Sequence, residues 1–117
     1  MNAIEHLTED TFDEALNRPG LLVIDFWASW CGPCRAMAPQ LERAATLRPD
    51  YRFAKVDVDA EPVLADRYGI RSIPTLVVVR DGEPIAAQAG VVGAEPLVEA
   101  LDRLAAPTTA AAETRAA

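Results

Sequence analysis

Three short runs constrain the fold most. Leu21–Trp27, Phe53–Val58 and Thr75–Val79 carry apolar residues on both alternating faces. A strand of that kind has to be covered on both sides, as the inner strands of α/β sheets are. Helical patterns lie between and around these runs. Thr8 is placed to cap a first helix, with Glu9 and Asp10 in its first turn and Phe12, Ala15 and Leu16 on one face. Pro19-Gly20 ends it. A second helix is predicted from about Pro33 to Leu47, buried along Met37, Leu41, Ala44 and Ala45 and interrupted by Pro39. A short third helix fits Asp59–Tyr68, with Pro62 near its start and Gly69 past its end. Glu95-Pro96 opens a last helix with Leu97, Ala100, Leu101 and Leu104 on one face.

Asp81-Gly82 separates the run ending at Arg80 from Pro84–Ala89 and marks a β-hairpin. The order is therefore α-β-α-β-α-β-β-α, with room for a short strand before Thr8. Strands that alternate with helices pair in parallel, and the closing hairpin makes the sheet mixed. The expected fold is a three-layer α/β/α sandwich whose central sheet ends in an antiparallel hairpin. The chain has 117 residues, which suits one domain. We place that domain at residues 1–106. Residues 107–117 form an Ala/Thr-rich tail with little to bury, expected to be frayed or disordered.

Composition removes several functions. The net charge is −7, and an acidic surface repels phosphate backbones and anionic lipid, so neither nucleic acid nor membrane is an expected partner. The longest apolar stretch, Leu21–Trp27, is too short to span a bilayer and contains Asp25. Residues 1–10 lack a basic start followed by an apolar segment, so a cytoplasmic location is expected. Two cysteines and one histidine, His6, exclude a disulfide-rich scaffold and leave too few ligands for structural zinc. No metal is expected, and His6 reads as a surface residue.

Both cysteines fall in one pentapeptide, Trp30-Cys31-Gly32-Pro33-Cys34, just after an inner strand and at the start of a helix. Thiolate is the nucleophile in disulfide exchange, and a helix N-terminus stabilises it. Cys31, at the open end, is the expected attacking sulfur. Cys34, three residues further on, resolves the mixed disulfide. Gly32 leaves room for a substrate chain. Pro33 suits the first helical position, where no N–H is required, and stiffens the link between the sulfurs.

Asp25 interrupts an apolar strand, where burial raises a carboxyl pKa. Two readings fit it: a base that accepts the Cys34 proton, or a structural partner of Lys55, the chain's one lysine. Pro74 precedes the Thr75–Val79 run and reads on its own as a strand-start proline.

The segment from Val23 through Asp25, Trp27 and Trp30 to Cys34 resembles the active-site segment of the thioredoxin family. Ala54–Asp57, Tyr68–Thr75, Asp81–Glu83 and Gly90 agree with that family in order and spacing. The resemblance covers about Leu7 to Leu104. It implies a protein-disulfide reductase that carries two electrons and helps maintain cell redox homeostasis. Disulfide oxidases and isomerases of this fold usually have a histidine where this chain has Pro33. The resemblance also supports Asp25 as the base, with Lys55 beside it, and implies a cis Ile73–Pro74 bond facing the cysteines. Trp30, Ile73, Gly90 and Val91 are then expected to form an apolar rim around Cys31, although Ile73 and Val91 also suit plain core packing. Trp27 reads as core.

No bound cofactor is implied. Electrons would come from NADPH through a flavin-containing thioredoxin reductase, and the partners would be that reductase and diverse disulfide-containing clients of a monomeric chain. Ser72 departs from the family, which often has glycine there. An oxidase or isomerase on the same fold, and a binding module whose cysteines are secondary, are the alternatives.

Overall fold

The structure is a computed structural model that describes residues 4–106. The expectation for the tail at 107–117 lies outside the described residues. The elements in order are β1 (Glu5–His6), α1 (Glu9–Asn17), β2 (Leu21–Trp27), α2 (Gly32–Leu47), β3 (Arg52–Asp57), α3 (Pro62–Arg67), β4 (Thr75–Arg80), β5 (Glu83–Ala89) and α4 (Ala94–Ala105). The five strands make one sheet in the order β1-β3-β2-β4-β5. β1, β3 and β2 are parallel, whereas β4 runs antiparallel to β2 and β5 antiparallel to β4. The expected mixed sheet and its closing hairpin are both present. The optional first strand is β1, only two residues long.

Strand alternation divides the core. Leu21 and Val23 of β2 face Met37, Leu41 and Ala44 of α2 and Leu97 and Leu101 of α4. Leu22, Ile24 and Phe26 face Phe12, Ala15 and Leu16 of α1 and Leu64 of α3. Helices therefore cover the sheet on both sides, which is why β2 tolerates no polar face. Phe12, Phe26 and Phe53 are fully buried, each stabilising the fold by about 1.5–3 kcal/mol. β3 is less enclosed than its apolar residues suggest. Beyond it lies only β1, and Lys55 and Asp57 are half-buried.

Asp81 and Gly82 form the two-residue hairpin loop, with φ of 50° and 86°. Both angles are left-handed, the geometry that matches strand twist in a tight hairpin. Asp81 also fastens this loop to the α1–β2 turn, because its N–H donates to the Gly20 carbonyl (3.0 Å) and its Oδ1 accepts the Gly20 N–H (2.8 Å). β5 is an edge strand. It contains Pro84, and the β4–β5 register shifts between Val78 and Val79. α2 continues through Pro39 as one helix of 16 residues. Its far end is joined to α4 by Arg48, whose guanidinium donates to both oxygens of Asp102, while the Tyr51 hydroxyl donates to Asp102 Oδ1. His6 is exposed, as expected.

Candidate active site

The cysteines sit where β2 hands over to α2. Cys31 is the N-cap of α2 and has extended backbone. An N-cap side chain normally offers an oxygen to a free N–H of the first turn. Here Cys31 Sγ takes that place and accepts the Cys34 N–H at 3.2 Å. Cys31 and Cys34 are joined as a disulfide, with Cα atoms 5.2 Å apart. Pro33 occupies the second helical position, because the helix begins at Gly32 rather than at Pro33. The correction changes little chemically, since first-turn N–H groups have no partner within the helix at either position.

Both cysteines are 4% exposed as residues and pack with Ala28. Half-buried Trp27 and Ile73 pack against them. Trp30 behaves differently. It is 66% exposed, and its indole N–H donates to Asp59 Oδ2 at 2.7 Å. Asp57 Oδ1 in turn accepts the backbone N–H groups of Asp59 and Ala60, holding that loop in shape. The sequence assigns neither aspartate a role at the site and starts the third helix at Asp59, whereas Asp59 lies in a turn and α3 begins at Pro62. Aspartates after a strand do signal a turn, but nothing local links Asp59 to an indole 29 residues away.

The Ile73–Pro74 bond is cis. The Ile73 carbonyl oxygen lies 3.7 Å from Cys31 Sγ, placed to accept a hydrogen bond from the Cys31 thiol once the disulfide is reduced. Pro74 is buried immediately before β4 and accepts the Gly90 N–H at 2.8 Å. Contacts thus run from Cys31 through Ile73 and Pro74 to Gly90, and Gly90 takes a φ of 89° there. Val91 is 48% exposed. Core packing is therefore wrong for Val91 and only half right for Ile73. A shallow groove of about 190 Å³ lies alongside, lined by Trp30, Val58, Ile70 and Ile73 together with Arg71 and Ser72. The Ser72 carbonyl accepts the Thr75 hydroxyl at 2.7 Å, so the departure from glycine leaves the loop anchored.

Asp25 is fully buried on β2, and neither of its carboxylate oxygens has a hydrogen-bond partner. Alternation puts it on the α2 side, the same side as Trp27. Lys55 is its register partner on β3, but the Lys55 ammonium lies over the Trp27 ring, 4.6 Å from the centroid. Burial pushes the Asp25 carboxyl up to about 6, and the positive charge of Lys55 offsets part of that rise. An unpaired carboxyl titrating there can accept and release a proton at neutral pH. Among the described residues, no group of three or more His, Cys, Asp or Glu side chains could hold a metal ion, and no helix is long and apolar enough to cross a membrane.

Comparison with known proteins agrees with this geometry. The family model described as Thioredoxin matches residues 3–103. A thioredoxin of Staphylococcus haemolyticus is 43% identical over 105 residues, covering 86% of this chain and 97% of the relative. The X-ray structure of Fasciola hepatica thioredoxin superposes with a TM-score of 0.79 at 36% identity, covering 86% of this chain and 98% of that one. A chain from a structure on thiol resolution in yeast mitochondrial 1-Cys peroxiredoxin via glutathione/thioredoxin systems gives the same TM-score at 34% identity, covering 86% and 95%.

Proposed function

Because the chain belongs to the thioredoxin family and is a thiol-disulfide oxidoreductase with Cys31 and Cys34 in the active-site position, we propose that it works as a protein-disulfide reductase. The observation that carries this reading is Cys31 Sγ at the N-cap of α2, receiving the Cys34 N–H. In the dithiol state the same N–H and the helix dipole favour a Cys31 thiolate. That thiolate attacks one sulfur of a client disulfide. The client S–S bond breaks, a Cys31–client mixed disulfide forms, and the second client sulfur leaves as a thiolate that takes up a proton.

Cys34 then attacks Cys31 Sγ. Its proton passes to Asp25, directly or through one water, with Lys55 tuning the carboxyl. The mixed disulfide breaks, Cys31–Cys34 forms, and the first client sulfur leaves. Two electrons have moved to the client, and the chain is left in the oxidised form seen in the structure.

Members of this family carry no bound cofactor and work on disulfide-containing proteins and with reductases. For this chain we infer regeneration by a flavin-containing thioredoxin reductase drawing on NADPH, in the cytoplasm, with the chain acting as a monomer. Gly32 and Pro33 are exposed beside the buried Cys31, and a client chain reaches the sulfur past them. Trp30, Ile73, Gly90 and Val91 form the rim on which a client chain lies, pairing with exposed backbone rather than with a shaped pocket.

A Cys34→Ser variant tests the reading. It should trap cellular clients as mixed disulfides on Cys31, while the parent protein reduces insulin. No trapped client together with no insulin reduction would overturn it.

A further inference from the structure

The segment Gly90–Gly93 joins β5 to α4 and carries Gly90 and Val91 of the client rim. It has little means of holding its own shape. Gly93 is the N-cap of α4 and has no side chain with which to cap it. Ala94, the first residue of α4, is fully buried, so its N–H cannot turn to water instead. Gln40 fills that role from another helix: its Oε1 accepts the Ala94 N–H at 2.9 Å across 54 residues of sequence. Met37, one turn nearer the cysteines on α2, accepts the Val92 N–H on its sulfur at 3.5 Å. The other end of the segment is held by the Gly90 N–H on the Pro74 carbonyl.

We propose that Gln40, assisted by Met37, is a positioning residue for client binding. It fastens the Gly90–Gly93 rim to the helix that carries both cysteines. α2 begins at Gly32, and Met37 and Gln40 lie one and two turns beyond Cys34. A continuous helix with two such attachments fixes the distance between the rim and Cys31 Sγ. Gln40 Oε1 and the Met37 sulfur are turned to the Ala94 and Val92 N–H groups, and Met37 packs in a different part of the core from the cysteines, so neither is placed to act on the exchange chemistry. The effect is confined to substrates long enough to lie across the rim. The inference rests on the reading of Gly90 and Val91 as client-contacting.

The test compares two substrates: insulin, which must lie across the rim, with dithiothreitol as the electron source, and dithiobis(nitrobenzoate), which need only reach Cys31, in a single turnover of protein that has been reduced and then freed of dithiothreitol. Gln40→Leu should raise the apparent KM for insulin about fivefold, the size of one lost neutral hydrogen bond, at unchanged kcat. Reduction of dithiobis(nitrobenzoate) and the reduction potential should not move. Gln40→Glu, which keeps an acceptor oxygen at the helix N-terminus, should leave the insulin KM at the parent's value. Val91→Asp should raise the insulin KM by itself.

An unchanged insulin KM in Gln40→Leu, with Val91→Asp impaired, would overturn the positioning role and leave the rim standing. Equal losses on both substrates would overturn it as well, by showing only a structural defect. A silent Val91→Asp would remove the rim and the inference together. If Gln40→Leu does not fold, Met37→Leu decides, and an insulin KM equal to the parent's would count against the proposal.

Discussion

Asp25 and Asp102 are the same side chain in opposite circumstances, one beneath α2 and the other joined to its far end. Asp25 is fully buried without a partner, and burial pushes its carboxyl up to about 6. Asp102 is partly exposed and accepts hydrogen bonds from Arg48 and Tyr51, which hold its carboxyl down to about 2. Asp102 is anchored and keeps its charge through most of the pH range. Asp25 is left unsatisfied and so remains able to exchange a proton near neutrality. A fold can keep such a group only where the surrounding packing is strong, and β2 lies at the centre of the sheet.

The largest expected effect that separates the two residues is kinetic. Asp25→Asn should slow resolution of the mixed disulfide at pH 7 by about 100-fold, the usual size of a general-base contribution. The first attack by Cys31 should be nearly unaffected. In the parent protein, the resolution rate should fall as pH drops through about 6. Rapid-mixing measurements of client release across pH would show this, and equal slowing of both steps would remove the distinction between the two aspartates.

The next effect is on stability. The folded pKa of Asp25 lies above its ordinary 3.8, so the folded state binds its proton more tightly than the unfolded state does. The cost of ionising Asp25 is absent below pH 3.8, grows as pH rises to about 6, and is complete above that. Asp25→Asn should therefore raise the unfolding free energy at pH 8, by at most about 3 kcal/mol, and leave it unchanged at pH 3.5. Paired denaturant titrations at the two pH values measure it.

The smallest effect belongs to the far end. Asp102→Asn should lower Tm at pH 7, on the order of a few degrees, and leave insulin reduction as it was. Its contribution is present above the ordinary carboxyl pKa of 3.8 and is lost as pH falls toward about 2. The difference in Tm between variant and parent should accordingly vanish in acid. A slower insulin reaction in this variant would mean that the two ends of α2 are coupled.

What could be read from the sequence follows the range of the interactions. The cysteine pair, its helix and the strand before it are contiguous, so pattern and spacing reveal them. Asp25 stood out because a carboxylate in an apolar strand is costly wherever that strand is packed. The hairpin at Asp81-Gly82 was legible because its φ values suit those two residues. The helix starts at Pro33 and Glu95 were each off by one position, since prolines are tolerated throughout a first turn.

Other parts of the site rest on contacts between distant segments. Trp30 with Asp59, and Gln40 with Ala94, join elements that only the folded sheet brings together. A glutamine in the middle of a helix carries no local sign that it caps another one. The Lys55–Trp27 contact depends on strand register as well; the sequence offers Lys55 as a neighbour of Asp25, which the register bears out, but carries no sign that its ammonium lies over the Trp27 ring.

The outer margin of β5 has a consequence for life at high concentration. An unpaired strand edge is a template onto which a second chain can add. This edge interrupts that template: Pro84 lacks a donor, Glu83 stands exposed beside it, and the register shift at Val78/Val79 bends the ladder. If clients pair with exposed backbone at one end of the sheet, as proposed above, the side of the sheet is thereby kept from offering its own copies the same kind of pairing.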